Sequence, residues 1–391
     1  MLLIKNAEVY SPARAGKRDV LISGPAVFKV AERINEAAAA ELGAVVIDAG
    51  GKMLVPGFID HHEHVMGAGG EAGYYSRTPE VCVSDLIKNG ITTVVGMRGT
   101  DGTSCHQESL FAKVTALEAE GISAYMTTGS YEVPVDTFAG SVRKDIYMID
   151  KVLGTGEVAI SDRRSSQPTR AEIERIAADS YVAGLISGKR GFVHFHLGDG
   201  ARGLDMLMDI IAETEIPARQ FIVTHVNRKR ALFEQSKAFA RAGGYIDFTS
   251  GISDEEGFPG AIKPSRCIAE CIKEGVPLAN ITMSSDANGS MALYENGVFV
   301  RLLVTRADSL IKEFRDLILT EGVPLETALA FITSNAALAT GLYPKKGAAA
   351  EGSDADFVLL TEQLGIDSVI AKGKIVLQNG MPLIKGTFEE D

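Results

Sequence analysis

The segment Phe58-Ile59-Asp60-His61-His62-Glu63-His64 places three histidines at the end of a short apolar run, Met53 to Ile59. Side chains alternate along a strand, so His62 and His64 are expected on one face and His61 and Glu63 on the other. Two imidazoles on one face at the C-terminal end of a strand make half of a metal site. The other half comes much later, again after apolar runs. His196 ends Phe192-Val193-His194-Phe195-His196, His225 ends Phe221-Ile222-Val223-Thr224-His225, and Asp286 ends Ile281-Thr282-Met283-Ser284-Ser285-Asp286. Imidazole with carboxylate suits zinc, and a hydrolytic zinc site keeps one position open for water. Four histidines and one aspartate exceed what one catalytic zinc needs and suit two ions. A single histidine is most often a satisfied core or loop residue; five residues at the ends of four strands are poorly explained that way. Of the other histidines, His61 is expected to point away from His62, His194 to lie one layer below His196, and His106 to sit in a surface loop.

The elements that must position these groups alternate along the chain. Further apolar runs are Thr92 to Met97, Ala124 to Thr128, Val158 to Ile160 and Tyr245 to Thr249. Helical patterns lie between, such as Glu108 to Glu120, Arg170 to Leu185, Arg230 to Ala242 and Pro264 to Glu274. About eight strand–helix units with near-continuous apolar strands predict a parallel sheet closed into a (β/α)8 TIM-like barrel. An open doubly wound sheet is the runner-up, and no glycine-rich dinucleotide fingerprint supports it. Active sites of such barrels lie at the C-terminal ends of the strands, where the histidines and Asp286 stand. Residues 1–52 and 352–391 read as short strands, for example Leu2 to Ile4, Asp19 to Ile22 and Asp356 to Leu360. Neither end has enough strand to close a sheet alone. Together they are expected to form a small β-sandwich domain beside a barrel spanning 53–351.

Composition bounds the function. The chain has 391 residues, 46% hydrophobic and 23% charged, with a net charge of -12. A large core is available, and the acidic balance argues against a nucleic-acid or anionic-membrane surface. No run reaches membrane-spanning length, and the start Met1 to Asn6 lacks a signal-type apolar region, so a cytoplasmic location is expected. The cysteines are Cys82, Cys105, Cys267 and Cys271, too few for a disulfide scaffold. Cys267 and Cys271 share a helix face, which is better explained by packing than by redox or metal chemistry.

The pattern Pro-Gly-Phe-Ile-Asp-x-His-x-His and the ending Gly352-Ser353-Asp354-Ala355-Asp356 resemble the amidohydrolase superfamily. The likeness is narrower to its isoaspartyl (β-aspartyl) dipeptidases. It rests on Gly67 to Gly73, Ser76 to Glu80, Val94 to Asp101, Ile160 to Ser165, Thr224 to Arg228 and Ser284 to Ser290. That resemblance implies a zinc-dependent hydrolase of β-aspartyl dipeptides. His62 and His64 would bind the first zinc with Asp286, and His196 and His225 the second. Asp286 would act as general base and then general acid. Tyr131 would hydrogen-bond the developing oxyanion. Glu71 would pair with the substrate's α-ammonium, and Arg228 would grip its α-carboxylate with help from Thr100 and Ser290. Arg164 would take the carboxylate of the second residue. The resemblance also implies a homo-oligomer, and similar ligands accept cobalt or manganese.

One position departs from the family. Its members carboxylate a lysine near the fourth strand to bridge the metals, and here Glu157 stands in register, with Lys151 six residues earlier. A glutamate already carries a carboxylate, so Glu157 is expected to be a metal ligand and to bridge, although its side chain is shorter than a carboxylated lysine. Two other functions compete. A cyclic-amide hydrolase of the dihydroorotase or hydantoinase kind fits the metal residues, but the Glu71 and Arg228 segments suit a free amino-acid head group. A non-catalytic barrel scaffold would be expected to lack several of the ligands that are all present here.

Overall fold

The runs that end in histidine or aspartate become neighbouring strands. In the computed structural model, which describes residues 1–295 and 298–389, eight strands follow one another in chain order. They are β1 (Phe58–Glu63), β2 (Ile91–Gly96), β3 (Ser123–Thr128), β4 (Val152–Ile160), β5 (Phe192–Leu197), β6 (Phe221–Thr224), β7 (Tyr245–Thr249) and β8 (Ile281–Ser284). Each pairs in parallel with the next. Just beyond β8 the sheet meets its own start. Asp286 N donates to His62 O at 3.1 Å and His64 N to Ala287 O at 2.9 Å. The result is the expected (β/α)8 barrel, nearly closed, and the open-sheet alternative falls.

Helices Gln107–Glu120, Arg170–Ser187, Arg230–Arg241 and Pro264–Lys273 are among those between the strands. Their apolar faces meet outward strand residues in one core. Val94, Met126, Val158, Phe195, Val223 and Phe248 pack there with Leu110, Ile173, Phe233 and Ile268. Burying each such side chain contributes roughly 1.5–3 kcal/mol, which is why the strands read as apolar runs. Helix Arg170–Ser187 shows how local sequence sets its ends. Thr169 and Glu172 form a reciprocal cap at its start, and Gly188 at φ 70° ends it. Cys267 and Cys271 are free thiols buried in the core, as packing predicts.

Both chain ends feed one nine-stranded sheet. Met53–Pro56 lies at its junction, parallel to Leu2–Tyr10 and antiparallel to Phe357–Leu360. The apolar run Met53 to Ile59 is therefore two strands divided at Gly57. Glycine is needed there because a Cβ would fall 2.1 Å from Thr92 Oγ1. After β8 the chain forms an antiparallel hairpin, Ser290–Glu295 with Val298–Val304. Among the described residues no helix is long and apolar enough to cross a membrane.

Two irregularities in the barrel matter for the site. On β1 the pairing register shifts between Asp60 and Glu63. His61 does not leave the interior as strict alternation predicts: its Nε2 lies 3.1 Å from Asp247 Oδ1 on β7, and its ring packs against His194 on β5. On β4 the register shifts opposite His194, so Gly156 and Glu157 together face one residue of β5. Thr155 bonds Ser180 on the covering helix and Val158 packs in the outer core, although they are three residues apart. The extra residue of this bulge turns Glu157 inward.

Candidate metal centre and substrate cleft

At the C-terminal mouth of the barrel, six side chains converge. Asp286 Oδ1 lies 3.0 Å from His64 Nε2 and 3.6 Å from His62 Nε2. Glu157 Oε2 lies 3.3 Å from His62 Nε2 and 3.9 Å from His64 Nε2. Its other oxygen, Oε1, lies 2.9 Å from His196 Nδ1 and 3.3 Å from His225 Nε2. Two ligand groups result, His62–His64–Asp286 and Glu157–His196–His225. All six residues are buried.

Hydrogen bonds behind the rings aim their free nitrogens inward. His64 Nδ1 is 3.2 Å from Met97 O, an acceptor only, so it carries the proton. Thr224 gives its proton to Asp247 Oδ2 at 2.7 Å and therefore accepts from His62 Nδ1 at 3.2 Å. His225 Nδ1 is 2.7 Å from Thr249 Oγ1. In the neutral ring the inward Nε2 of His62 then faces carboxylate oxygens, lone pair against lone pair; against the effect of burial, Glu157 and Asp286 raise its pKa to about 10, so a cation, proton or metal, is drawn between them. His62 Nε2, Glu157 Oε2 and Asp286 Oδ1 are buried without hydrogen-bond partners. Such orphaned atoms are costly unless a cation lies between them. The donor set and its outer hydrogen bonds thus fit bound metal.

Electrostatics agree. Burial pushes the Glu157 carboxyl up, but the surrounding imidazoles of His62, His196 and His225 outweigh it and hold it well below the usual range. Burial, reinforced by His196, lowers His225 to about 3, so its ring is neutral and able to ligate. Tyr131 Oη lies 2.7 Å from His196 Nδ1. Burial, with the charge of Glu157, keeps its phenol protonated well above the ordinary pH range. The turn carrying Tyr131 is fixed from below by buried Arg98, whose Nε donates to Gly129 O at 3.0 Å.

Above the cluster opens a cavity of about 740 Å³, lined in part by Glu71, Arg164, Arg228 and Ser290. Thr100 reaches it through Glu71, donating to Oε1 at 3.1 Å. Arg164 Nη1 is 3.4 Å from the same oxygen, and its guanidinium lies 5.4 Å from the Tyr131 ring centre. Ser290 Oγ is buried with no partner. One wall is apolar, made by Ile252, Phe258, Pro259, Ala261 and Met291. Every residue named from the sequence therefore lies in or beside one site. Two carboxylates were missed. Asp162 sits between His196, Arg164 and Arg228, and Asp247 anchors His61, Thr224 and Ser284. The available signals were a polar turn after β4 and an acid inside the apolar run of β7.

Known proteins sharpen the picture. A profile of the amidohydrolase family matches residues 261–376. A crystal structure of beta-aspartyl dipeptidase from Fervidobacterium islandicum AW-1, in complex with beta-Asp-Leu dipeptide, is 45% identical, with 97% of each chain covered and a TM-score of 0.89. A second structure of that enzyme gives 44% identity and a TM-score of 0.88 over 97% of this chain and 98% of the other. The chain belongs to the β-aspartyl dipeptidase family of the amidohydrolases. Outside that family the likeness thins. The dihydroorotase of Staphylococcus aureus (strain Mu50 / ATCC 700699) is 37% identical over 100 residues, 26% of this chain and only 22% of its own length. Dihydropyrimidinase from Brevibacillus agri NCHU1002 shares the fold, with a TM-score of 0.67 at 17% identity over 98% of this chain and 96% of its own.

Proposed function

We propose that this member of the β-aspartyl dipeptidase family hydrolyses β-aspartyl dipeptides to aspartate and a second amino acid, using two zinc ions. His62, His64 and Asp286 would hold one ion, His196 and His225 the other, and Glu157 would bridge them. When bound, the metal lowers the pKa of the attacking water and polarises the scissile carbonyl. The observation that carries the substrate reading is a cleft lined by charges of both signs, in which Glu71, Arg164 and Arg228 stand among Asp162, Asp199, Arg163 and Lys229. A β-aspartyl dipeptide presents one ammonium and two carboxylates.

Each side chain then has a task. Glu71 takes the α-ammonium, exchanging part of its contact with Arg164 for the substrate. Arg228 grips the α-carboxylate with Thr100 and Ser290, whose unpartnered hydroxyl is ready to donate. Arg164 takes the carboxylate of the leaving residue by forked hydrogen bonds. Asp286 removes a proton from the attacking water and returns it to the leaving amine. Tyr131, held as a phenol, donates to the oxyanion as the carbonyl carbon becomes tetrahedral.

The local likeness to dihydroorotases keeps a cyclic-amide hydrolase as the second reading. The test is kcat/KM on β-Asp-Leu, α-Asp-Leu and dihydroorotate with zinc supplied. A strong preference for the β-linked peptide supports the proposal. Turnover of dihydroorotate with neither peptide cleaved would replace it.

A further inference from the structure

Asp162 joins the histidine cluster to the cleft. Its Oδ2 lies 3.1 Å from His196 Nε2, 2.8 Å from Arg164 Nη2 and 4.0 Å from Arg228 Nη1. Its Oδ1 accepts from Arg164 twice, from the backbone N at 2.7 Å and from Nε at 3.1 Å. The approach to His196 depends on Gly198 just after β5, where a Cβ would fall 2.4 Å from the Asp162 Cβ. Asp162 is buried, so these partners define its surroundings.

The two nearest neighbours of His196 Nε2 are of opposite kind, with the Tyr131 hydroxyl farther off at 3.5 Å. Asp162 Oδ2 can only accept a hydrogen bond; Arg164 Nη2, at 2.9 Å, can only donate one. With the proton on Nε2, the ring donates to Asp162, and Nδ1 keeps a lone pair facing the Tyr131 hydroxyl, Glu157 and the second ligand group. With Nε2 bare, the ring accepts from Arg164, and the proton moves to Nδ1, where it blocks ligation. The neighbour of one nitrogen decides what the other can do.

We propose that Asp162 is a positioning residue that fixes His196 in the Nε2–H tautomer and restrains Arg164 from donating to the ring. It thereby ties metal retention to the arginine that receives the leaving residue. The proposal rests on the reading of His196 as a metal ligand.

The test is competition for zinc with a chelator, on the full-length protein. Asp162→Asn keeps shape and size. Its amide oxygen can serve the turn at Arg164, which leaves the amide NH2 at the Oδ2 position, donating to His196 Nε2. Zinc affinity is expected to fall by about 10- to 100-fold, as for other outer-shell partners. Asp162→Ala should fall similarly, and adding Arg164→Met should restore affinity to that of Arg164→Met alone, since no donor then faces Nε2. Wild-type affinity in Asp162→Asn, with loss in His196→Ala, overturns the role of Asp162. Failure of Arg164→Met to rescue Asp162→Ala overturns it too, because it assigns Asp162 to holding the loop. Wild-type affinity in His196→Ala overturns the ligand reading itself, and the proposal with it.

Discussion

Glu157 Oε2 lies 3.3 Å from His62 Nε2, while the second oxygen of the same carboxylate turns to His196 and His225. One side chain thus faces both ligand groups, the geometry a bridge requires. Glu157→Gln puts an amide NH2 against one group and leaves a single oxygen for the other. Metal content should fall below the wild-type stoichiometry, and kcat should drop by more than the ~10- to 100-fold typical of outer-shell changes. Metal analysis after gel filtration, with kcat on β-Asp-Leu, checks this. Full metal content and unchanged kcat would make Glu157 a bystander.

A carboxylate encoded in the chain needs no carbon dioxide to form. Metal-stripped protein reloaded with zinc in degassed, CO2-free buffer should regain the activity it regains in air, and added bicarbonate should change nothing. A bicarbonate requirement would point to a carboxylated side chain elsewhere in the centre and remove Glu157 from the bridging role.

Much of this site could be read from residue type and place. The apolar runs ending in His62, His196, His225 and Asp286 report strands buried on both faces, and the barrel follows from their alternation with helices. What could not be read depends on register. Strict alternation sends His61 outward, but the irregularity between Asp60 and Glu63 keeps it inside against Asp247. Alternation from Thr155 would likewise turn Glu157 toward the helices, and only the bulge opposite His194 brings it in. Such shifts are set by contacts with the neighbouring strand, which a single strand's pattern does not contain. Asp162 escaped because its importance lies in partners 2 to 66 residues away, Arg164, His196 and Arg228.

The role proposed for Arg228 should show in kinetics. Arg228→Met removes the proposed charge-assisted partner of the α-carboxylate without touching a proposed metal ligand. Losing such a bond costs about 1.5–3 kcal/mol, or about 10- to 150-fold in kcat/KM. The loss should appear mainly in KM, with metal content intact. Arg228→Lys should recover little, since an ammonium cannot make the fork. Steady-state kinetics with metal analysis decides, and a normal KM would take Arg228 out of substrate binding.

Glu63 offers a pH-dependent test of the fold beneath the site. Its side chain is buried and neither oxygen has a hydrogen-bond partner. Burial, reinforced by the charge of Asp60 and only partly offset by Lys113, raises its pKa well above the ordinary 4.5. The sign follows from linkage. Above pH 4.5 the unfolded chain releases this proton while the folded chain keeps it, so the unfolded state gains by about 1.4 kcal/mol per pH unit until the folded pKa is reached. Glutamine cannot ionise and escapes the effect. The Tm of Glu63→Gln should therefore exceed that of wild type by more at pH 8 than at pH 5.5. Thermal unfolding of both proteins at the two pH values checks it. A gap of equal size at both would show that Glu63 does not stay protonated in the folded chain, and that the carboxylate has found a partner or a path to water.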